Sequence, residues 1–416
     1  MIVIIGGGLS GLTCALELER ANVPYLLLEA TDRVGGRVKT DTVDGYRLDR
    51  GFQVLLTAYP ETQLFLDYAA LDLKTFLPGA LLLIDQGNVD RIGDPFRDPT
   101  SLWPTLTAKA GSLSDKLKIL KLRNQVSGTS IAQLFDRQEQ PTRVTLREEY
   151  GFSDRMIQRF FQPFYAGIFL ERELTTSRRM FDFAFKMFAK GTAAVPNRGM
   201  EEIPKQLLSK LNPTSVRTHA RVRHFKQGLV ELENGEEINA EAIVLAVEAT
   251  SALWKPYRKE APRYESTVNL HFVAPEDPIG KPIIALNAHL NPNRLVNNLC
   301  TITTVAPGYG VSSTGQHLIS VSIVGVPPIP EDELPGRVRE ELSFWYDTSA
   351  WRHLRTQRVQ YALPNQTHVR HARRHEDYRL DDGVYVCGDH LLNGSINAAM
   401  RSGRRVGELI RLKRAK

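Results

Sequence analysis

The stretch MIVIIGGGLSGLTCALELERANVPYLLLE, residues 1–29, decides how the chain is read. Met1–Ile5 is a short β-branched run of the kind that is buried on both faces of a parallel sheet. Gly6, Gly7, Gly8, Leu9, Ser10 and Gly11 follow as a loop. From Leu12 to Ala21 the pattern is helical, with Leu12, Ala15, Leu16 and Leu18 apolar and Glu17, Glu19 and Arg20 polar. Asn22 ends that helix, and Pro24–Glu29 (PYLLLE) reads as a second buried strand. Strand, glycine loop, helix and strand in this order imply a right-handed crossover between parallel neighbours. Glycines let backbone N–H groups approach a phosphate closely, and the helix N-terminus adds its partial positive charge. Gly6, Gly8 and Gly11 supply G-x-G-x-x-G in the strand-to-helix context that gives the motif its meaning. Glu29 closes the second strand, where a carboxylate accepts both ribose hydroxyls of an adenosine and repels a 2′-phosphate. A dinucleotide other than NADP is expected there, and the motif alone does not separate NAD from FAD.

Composition narrows the classes. The 416 residues hold 53 Lys+Arg against 47 Asp+Glu, a formal net charge of +6, with 42% apolar and 24% charged residues. Those fractions are globular and exclude disorder, collagen and coiled coil, and the length suggests two or three folding units. Three cysteines (Cys14, Cys300 and Cys387) with no Cys-x-x-Cys exclude a disulfide framework and speak against iron–sulfur or structural zinc. No metal is expected. No apolar run nears the roughly 20 residues of a membrane span, and a strand at the first residues leaves no room for a leader. A cytoplasmic protein is the expectation. No stacking-plus-basic motif calls for nucleic acid, and nothing in the sequence sets an oligomeric state.

Further along, Asp94–Lys190 is mainly helical, with aromatic-rich stretches at Arg147–Phe169 and Arg178–Ala189. After Val216 short strands take over. Arg221–Phe225, Leu229–Leu232 and Ile238–Ala246 are separated by hairpin signals, and Val268–Val273, Pro282–Leu286, Leu299–Thr304 and His317–Val324 follow. A helix is expected near Glu331–Ser343. Gly383–Cys387 reads as a last buried strand, leading through Gly388 and Asp389 into a closing helix from Ile396 to Lys413.

Just after Glu29 and Ala30 comes Thr31–Arg37, TDRVGGR, a second glycine pair (Gly35, Gly36) flanked by Arg33 and Arg37. Two guanidiniums on flexible backbone suit a second grip on a pyrophosphate. With Gly6, Gly8, Gly11 and Glu29, this R-x-G-G-R resembles the signature of the flavin-containing amine oxidase superfamily, which includes protoporphyrinogen oxidases and carotenoid desaturases and isomerases. The resemblance continues at Val384–Gly407 (VYVCGDHLLNGSINAAMRSGRRVG), at Pro196–Leu208 with Arg198 in place of a family glycine, and at Arg221–Val222 with its hairpin and AIVLAV. It implies non-covalent FAD, since no Cys stands where the family's covalent link forms. It also implies a FAD-binding, doubly wound Rossmann-like α/β domain from 1–75, 193–252 and 376–416. This domain is interleaved with an α+β substrate domain of mixed sheet plus helices from 76–192 and 253–375. The implied FAD contacts are Gly6, Gly8, Leu9, Ser10, Gly11, Glu29, Ala30, Arg33, Gly35, Gly36, Arg37, Gly51, Phe52, Val222, Gly388, Asp389, Ser395, Ile396 and Asn397.

For substrate, the resemblance leans away from amines. Glu265–Phe272 (ESTVNLHF) has no Lys where amine oxidases place one, and Asn393, Gly394 and Ser395 stand where an aromatic would. Arg358–Asn365 (RVQYALPN) and Phe160–Leu170 (FFQPFYAGIFL) are instead similar to the protoporphyrinogen oxidase and carotenoid desaturase branches. Phe160, Phe161, Phe164, Tyr165, Phe169, Phe181, Phe183, Phe185 and Phe188, with Met180 and Met187, form adaptable apolar walls or an ordinary core. A large apolar conjugated substrate, a polyene or tetrapyrrole, is the expectation for a desaturase, an oxidase or a redox-neutral isomerase. An atypical amine oxidase and a non-catalytic pigment carrier are the rivals. His390, Gln53 and Tyr165 are the candidates for acting on substrate, His390 because imidazole titrates near neutrality. Arg370, Arg373, Arg374, Arg411, Lys413, Arg414 and Lys416 form a late basic cluster, read as a solvated helix end or as a peripheral contact with anionic membrane.

Overall fold

In the computed structural model, residues 1–95, 97–258, 260, 262–291, 293–311 and 315–414 are described, which leaves Lys416 of the basic cluster outside. The opening run becomes the strand Ile2–Ile5, centred in a sheet ordered Val216–Arg217, Tyr25–Leu28, Ile2–Ile5, Ala242–Leu245, Val384–Val386, Arg379–Asp381. All pairings are parallel except the last. Val3 lies between Leu26 and Ile243 in register and is fully buried, which is why a β-branched run occupies this central place. The crossover helix is Leu9–Arg20, and Asn22 closes it with φ 51°, a conformation Asn tolerates. The carboxyl ends of three central strands open directly onto Gly6, Ala246 and Gly388, the edge where open α/β sheets bind ligands.

The closing helix Ile396–Arg414 lies against Leu9–Arg20 at a distance only glycine allows. A Cβ on Gly403 would sit 2.0 Å from the Ser10 carbonyl oxygen, and one on Gly407 would sit 2.5 Å from Glu17 Cβ. Thr13 Oγ1 donates across this contact to the Met400 carbonyl at 3.1 Å. The two ends of the chain thereby meet beside the glycine loop.

A second sheet runs Arg352–Pro364, Tyr264–Ala274, His317–Val324, Val296–Thr301, Ile284–Asn287, Gly79–Leu83, Val89–Gly93. It is antiparallel apart from the pairing of Ile284–Asn287 with Gly79–Leu83. Helix Gln162–Phe169 packs on it, and Arg178–Lys190 packs against the helices Leu113–Gly128 and Ile131–Asp136. This is the α/β plus mixed-sheet architecture expected from the sequence. Among the described residues no helix is long and apolar enough to cross a membrane.

Three local expectations change. Ile238–Ala246 is two strands in different sheets: Glu237–Asn239 completes a meander, and the chain then crosses to Ala242–Leu245, with the Glu241 N–H donating to the Met1 carbonyl. Leu299–Thr304 ends as strand at Thr301 and turns into a short helix, Ile302–Val305. Arg147–Phe169 is not one helix. Gly151, at φ +68°, breaks it, and π turns at Thr145–Glu149 and Ile157–Phe161 re-aim the aromatic residues before Gln162–Phe169.

Candidate active site

One cavity of ≈ 1010 Å³ lies between the two sheets, at the upper end of the roughly 300–1,000 Å³ usual for ligand sites. Its glycine-loop end is walled by Gly6–Ser10, Glu29–Thr31 and Ala220–Val222. Gly8 starts the first helix with no side-chain cap, and a Cβ there would meet nothing within 4 Å, so open space lies over the helix N-terminus. That is the cradle a pyrophosphate requires. Glu29 is held in place: Oε2 accepts from the Gly7 N–H at 2.9 Å, and Oε1 accepts from the Thr31 N–H at 2.9 Å and from Thr31 Oγ1 at 2.7 Å. Lys39, unremarked in the sequence, is buried here and donates to Thr31 Oγ1 at 2.8 Å. Burial lowers its pKa while the Glu29 charge acts to raise it. The only sequence signal for Lys39 was its place two residues after R-x-G-G-R.

The two glycine motifs lock together. The Gly35 N–H donates to the Gly7 carbonyl at 2.9 Å, and Gly36, at φ +60°, brings its Cβ position within 3.3 Å of Gly8 Cα. Arg37 lies along the cavity floor, with Nη2 2.6 Å from Asp389 Oδ1 and Nη1 2.9 Å from the Ala362 carbonyl. Beyond it the wall is Gly51, Phe52 and Gln53 on one side and Gly388–His390, Gly394, Ser395 and Ile396 on the other. Ser395 Oγ accepts from the Ala398 N–H at 3.0 Å and so caps the closing helix toward the cavity.

Three proposed cofactor contacts lie elsewhere. Arg33 does not line the cavity: its guanidinium binds Glu201, Asp32 and Asp41, three carboxylates that occupy its planar fork. Gly11 sits against the strand, where a Cβ would come 2.0 Å from the Gly6 carbonyl oxygen, so this third glycine serves helix–strand packing. Asn397 turns to the helix Pro60–Phe65, its Oδ1 accepting from the Glu61 N–H at 3.0 Å.

At the other end the aromatic cluster divides. Phe160, Phe164, Tyr165, Phe185, Phe188 and Met180 line the cavity, while Phe161, Phe169, Phe181, Phe183 and Met187 are buried core. Arg97 and Arg123 join the lining here, Arg97 donating to the Phe188 and Gly191 carbonyls and Arg123 to Asp94. Nothing in the sequence pattern had singled them out.

The structure brings Gln53, Tyr165 and His390 to the cavity wall. Gln53 Nε2 donates to the Arg37 and Arg50 carbonyls at 3.0 and 3.2 Å, which braces the turn after the glycine motif. Burial raises the Tyr165 phenol well above its usual range. Burial also pushes His390 down to about 4, against the opposing pull of Asp389. Its ring meets Trp254 edge-on at 5.4 Å, and its Nε2 is buried with no partner. It is therefore neutral near pH 7, a poor proton donor.

A glycine cradle, a fixed Glu and an Arg–Asp floor opening into an aromatic chamber define a dinucleotide-dependent redox site. The sequence profile of the flavin-containing amine oxidoreductase family matches residues 9–411, so the chain belongs to that family and is a flavin-dependent oxidoreductase. Among relatives, the coproporphyrinogen III oxidase of Propionibacterium freudenreichii subsp. freudenreichii is 24% identical over 176 residues, 40% of this chain. That match spans 31% of the relative's own length. A protein from Exiguobacterium sp. 255-15, provisionally named a protoporphyrinogen oxidase, shares the fold at TM-score 0.71 and 19% identity, covering 99% of this chain and 98% of its own. A putrescine oxidase solved with putrescine shares it at TM-score 0.66 and 15% identity, with 98% of each chain covered.

Proposed function

We propose that the chain binds FAD without a covalent link and oxidises a large tetrapyrrole macrocycle of porphyrinogen type, apolar over its pyrroles and carboxylate-bearing at its edge, to its conjugated form. The observation that carries this reading is the continuity of the glycine-loop end and the aromatic end in one cavity. The residues present fit the cofactor. The uncapped helix start would take the pyrophosphate and Glu29 the adenosine ribose. Arg37 with Asp389 would take the middle of the molecule, and Gly51, Phe52, Ser395 and Ile396 would flank its ring. When bound, FAD supplies a hydride acceptor to the chamber.

The chain's own part is to place and shield. Phe160, Phe164, Phe185 and Phe188 offer apolar walls that exclude water and hold the pyrrole rings of a macrocycle. Arg97 and Arg123 at the same end suit the carboxylates of a tetrapyrrole and have no role toward a hydrocarbon polyene. Tyr165 keeps its proton, and Gln53 holds the Arg37 turn, so both act as positioning groups. The relatives named coproporphyrinogen III oxidase support this choice.

The shared fold of putrescine oxidase favours a second reading, amine oxidation. Against it, Lys39 is the one lysine lining the cavity among the described residues, and it stands at the Glu29 end. Aerobic incubation of purified protein with coproporphyrinogen III, a polyene and a polyamine separates the classes. Porphyrin absorbance growing with the first alone is expected; peroxide release with the polyamine alone would establish the second reading. Flavin that no substrate reduces would favour the carrier. Acid precipitation should leave FAD in the supernatant, and flavin retained in the pellet would overturn non-covalent binding.

A further inference from the structure

Exposed apolar side chains are concentrated beside the aromatic end of the cavity. Twelve large apolar side chains are exposed among the described residues, and five of them, Leu102, Trp103, Leu106, Leu113 and Leu117, fall between positions 102 and 117. Trp103 is 74% exposed and Leu117 66%. Single exposed leucines are ordinary, whereas a cluster with a tryptophan at its tip marks an interaction surface.

The segment is a short helix, Leu102–Thr107, followed by the helix Leu113–Gly128, whose start Ser112 and Asp115 fix through a capping box. Leu113, Leu117 and Leu120 stand at i, i+4 and i+7 and so share one stripe. The first two are exposed, while Leu120 lines the cavity with Ile119. The apolar stripe therefore leads from solvent into the chamber.

Charge along this segment is mostly basic. Between positions 99 and 130 Asp115 is the sole acidic residue, buried and spent on Ser112 and Ser153, and the neighbouring Asp90 accepts from the Lys109 backbone N–H. Lys109 and Lys121 are exposed, while Lys118 is half-buried and donates to the Gly151 carbonyl. The late basic cluster is different: Arg374, Lys413 and Arg414 each face carboxylates, from Glu376 and Asp377, Asp382 and Glu241 respectively.

We propose that this face docks on an anionic bilayer surface. Trp103 and the leucines enter the headgroup boundary and the exposed Lys109 and Lys121 meet lipid phosphates, as amphipathic interfacial segments do. Trp suits that depth because its ring is apolar and its N–H polar. Entry of substrate along the leucine stripe rests on the proposed function; docking itself does not.

Flavin-loaded full-length protein is sedimented with phosphatidylcholine vesicles, alone or with roughly a third phosphatidylglycerol. Binding to the anionic vesicles and a blue shift in tryptophan emission are expected, with Trp103→Phe binding but losing most of the shift. Trp103→Ser/Leu117→Ser and Lys109→Glu/Lys121→Glu should each weaken binding by about tenfold or more, with melting temperatures unchanged. Arg411→Glu/Lys413→Glu should bind like wild type. Wild type left in the supernatant, full binding by Trp103→Ser/Leu117→Ser, or loss confined to the tail variant would overturn the proposal. So would a dimer in solution that Leu117→Ser dissolves. Vesicle binding needs no turnover, so failure of docking and failure of the substrate assignment are read separately.

Discussion

Arg37 and Asp389, 352 positions apart in the chain, meet with Nη2 2.6 Å from Oδ1 on the floor of the cavity. The pair joins the second glycine motif near the start of the chain to the turn after the last parallel strand. Asp389 Oδ1 also accepts from the His390 N–H at 3.0 Å, so the acid is fixed from both sides.

Asp389 is buried while Arg37 is a third exposed to the cavity, so breaking the pair leaves a partly solvated charge, at a cost of about 1–3 kcal/mol. Asp389→Ala and Arg37→Ala should each lower stability by an amount of that order and release flavin on gel filtration. The double variant should lose much less than the sum of the two, measured by urea unfolding.

Glu29→Gln keeps the side chain's shape and removes its charge. The acceptors facing Gly7 and Thr31 are weakened along with the proposed ribose contacts, so FAD affinity should fall about tenfold or more. Fluorescence titration of the flavin-free protein checks this, with Arg33→Gln as comparison. Arg33 points at Glu201, Asp32 and Asp41, so that variant should lose stability while keeping FAD affinity within a few-fold.

His390 lies low, at about 4, because its ring is buried. It is already neutral throughout the range from about pH 6 to 8, so His390→Gln should leave the shape of the kcat/KM–pH profile unchanged there. Its effect on stability has a definite sign. A histidine with a folded pKa below its unfolded value adds stability that is present above about pH 6.5 and is lost as pH falls toward 4. The Gln variant should therefore lose less stability than wild type between those values.

Asp49 is the opposite case. Burial raises its carboxyl to about 6, although it accepts from Thr40 Oγ1, Tyr309 OH and the Met200 N–H. Below about pH 4 folded and unfolded chains are both protonated there. Between about 4 and 6 only the unfolded chain ionises, so the folded state loses up to about 3 kcal/mol as pH rises through that window. Asp49→Asn should remove that part of the pH dependence, seen as a gain over wild type that grows from pH 4 to pH 7 in chemical denaturation.

The nucleotide end of the site was legible because its chemistry is local. A glycine loop, a helix start and Glu29 fall within the first twenty-nine residues, and backbone donors need no distant partner. The aromatic end was not, because it is assembled from far-apart segments. No local pattern marks Arg97 and Arg123; the hairpin Gly79–Leu83/Val89–Gly93 and the helices fold them toward the chamber. Arg358–Asn365 was singled out as a family segment, but that it lies in a strand, Arg352–Pro364, was not: an edge strand rich in Arg and Gln lacks a buried face on which two-residue alternation would show. Arg33 misled for the converse reason. The motif put an arginine near phosphates, but Glu201, which claims it, is 168 positions away.

Anaerobic stopped-flow mixing of the flavin-loaded protein with coproporphyrinogen III tests the central claim most directly. Loss of flavin absorbance on mixing, one two-electron step per flavin, with porphyrin appearing only once oxygen is admitted to reoxidise the flavin, and no bleaching with a polyamine, is the predicted result. Bleaching by the polyamine with the porphyrinogen inert would contradict the account.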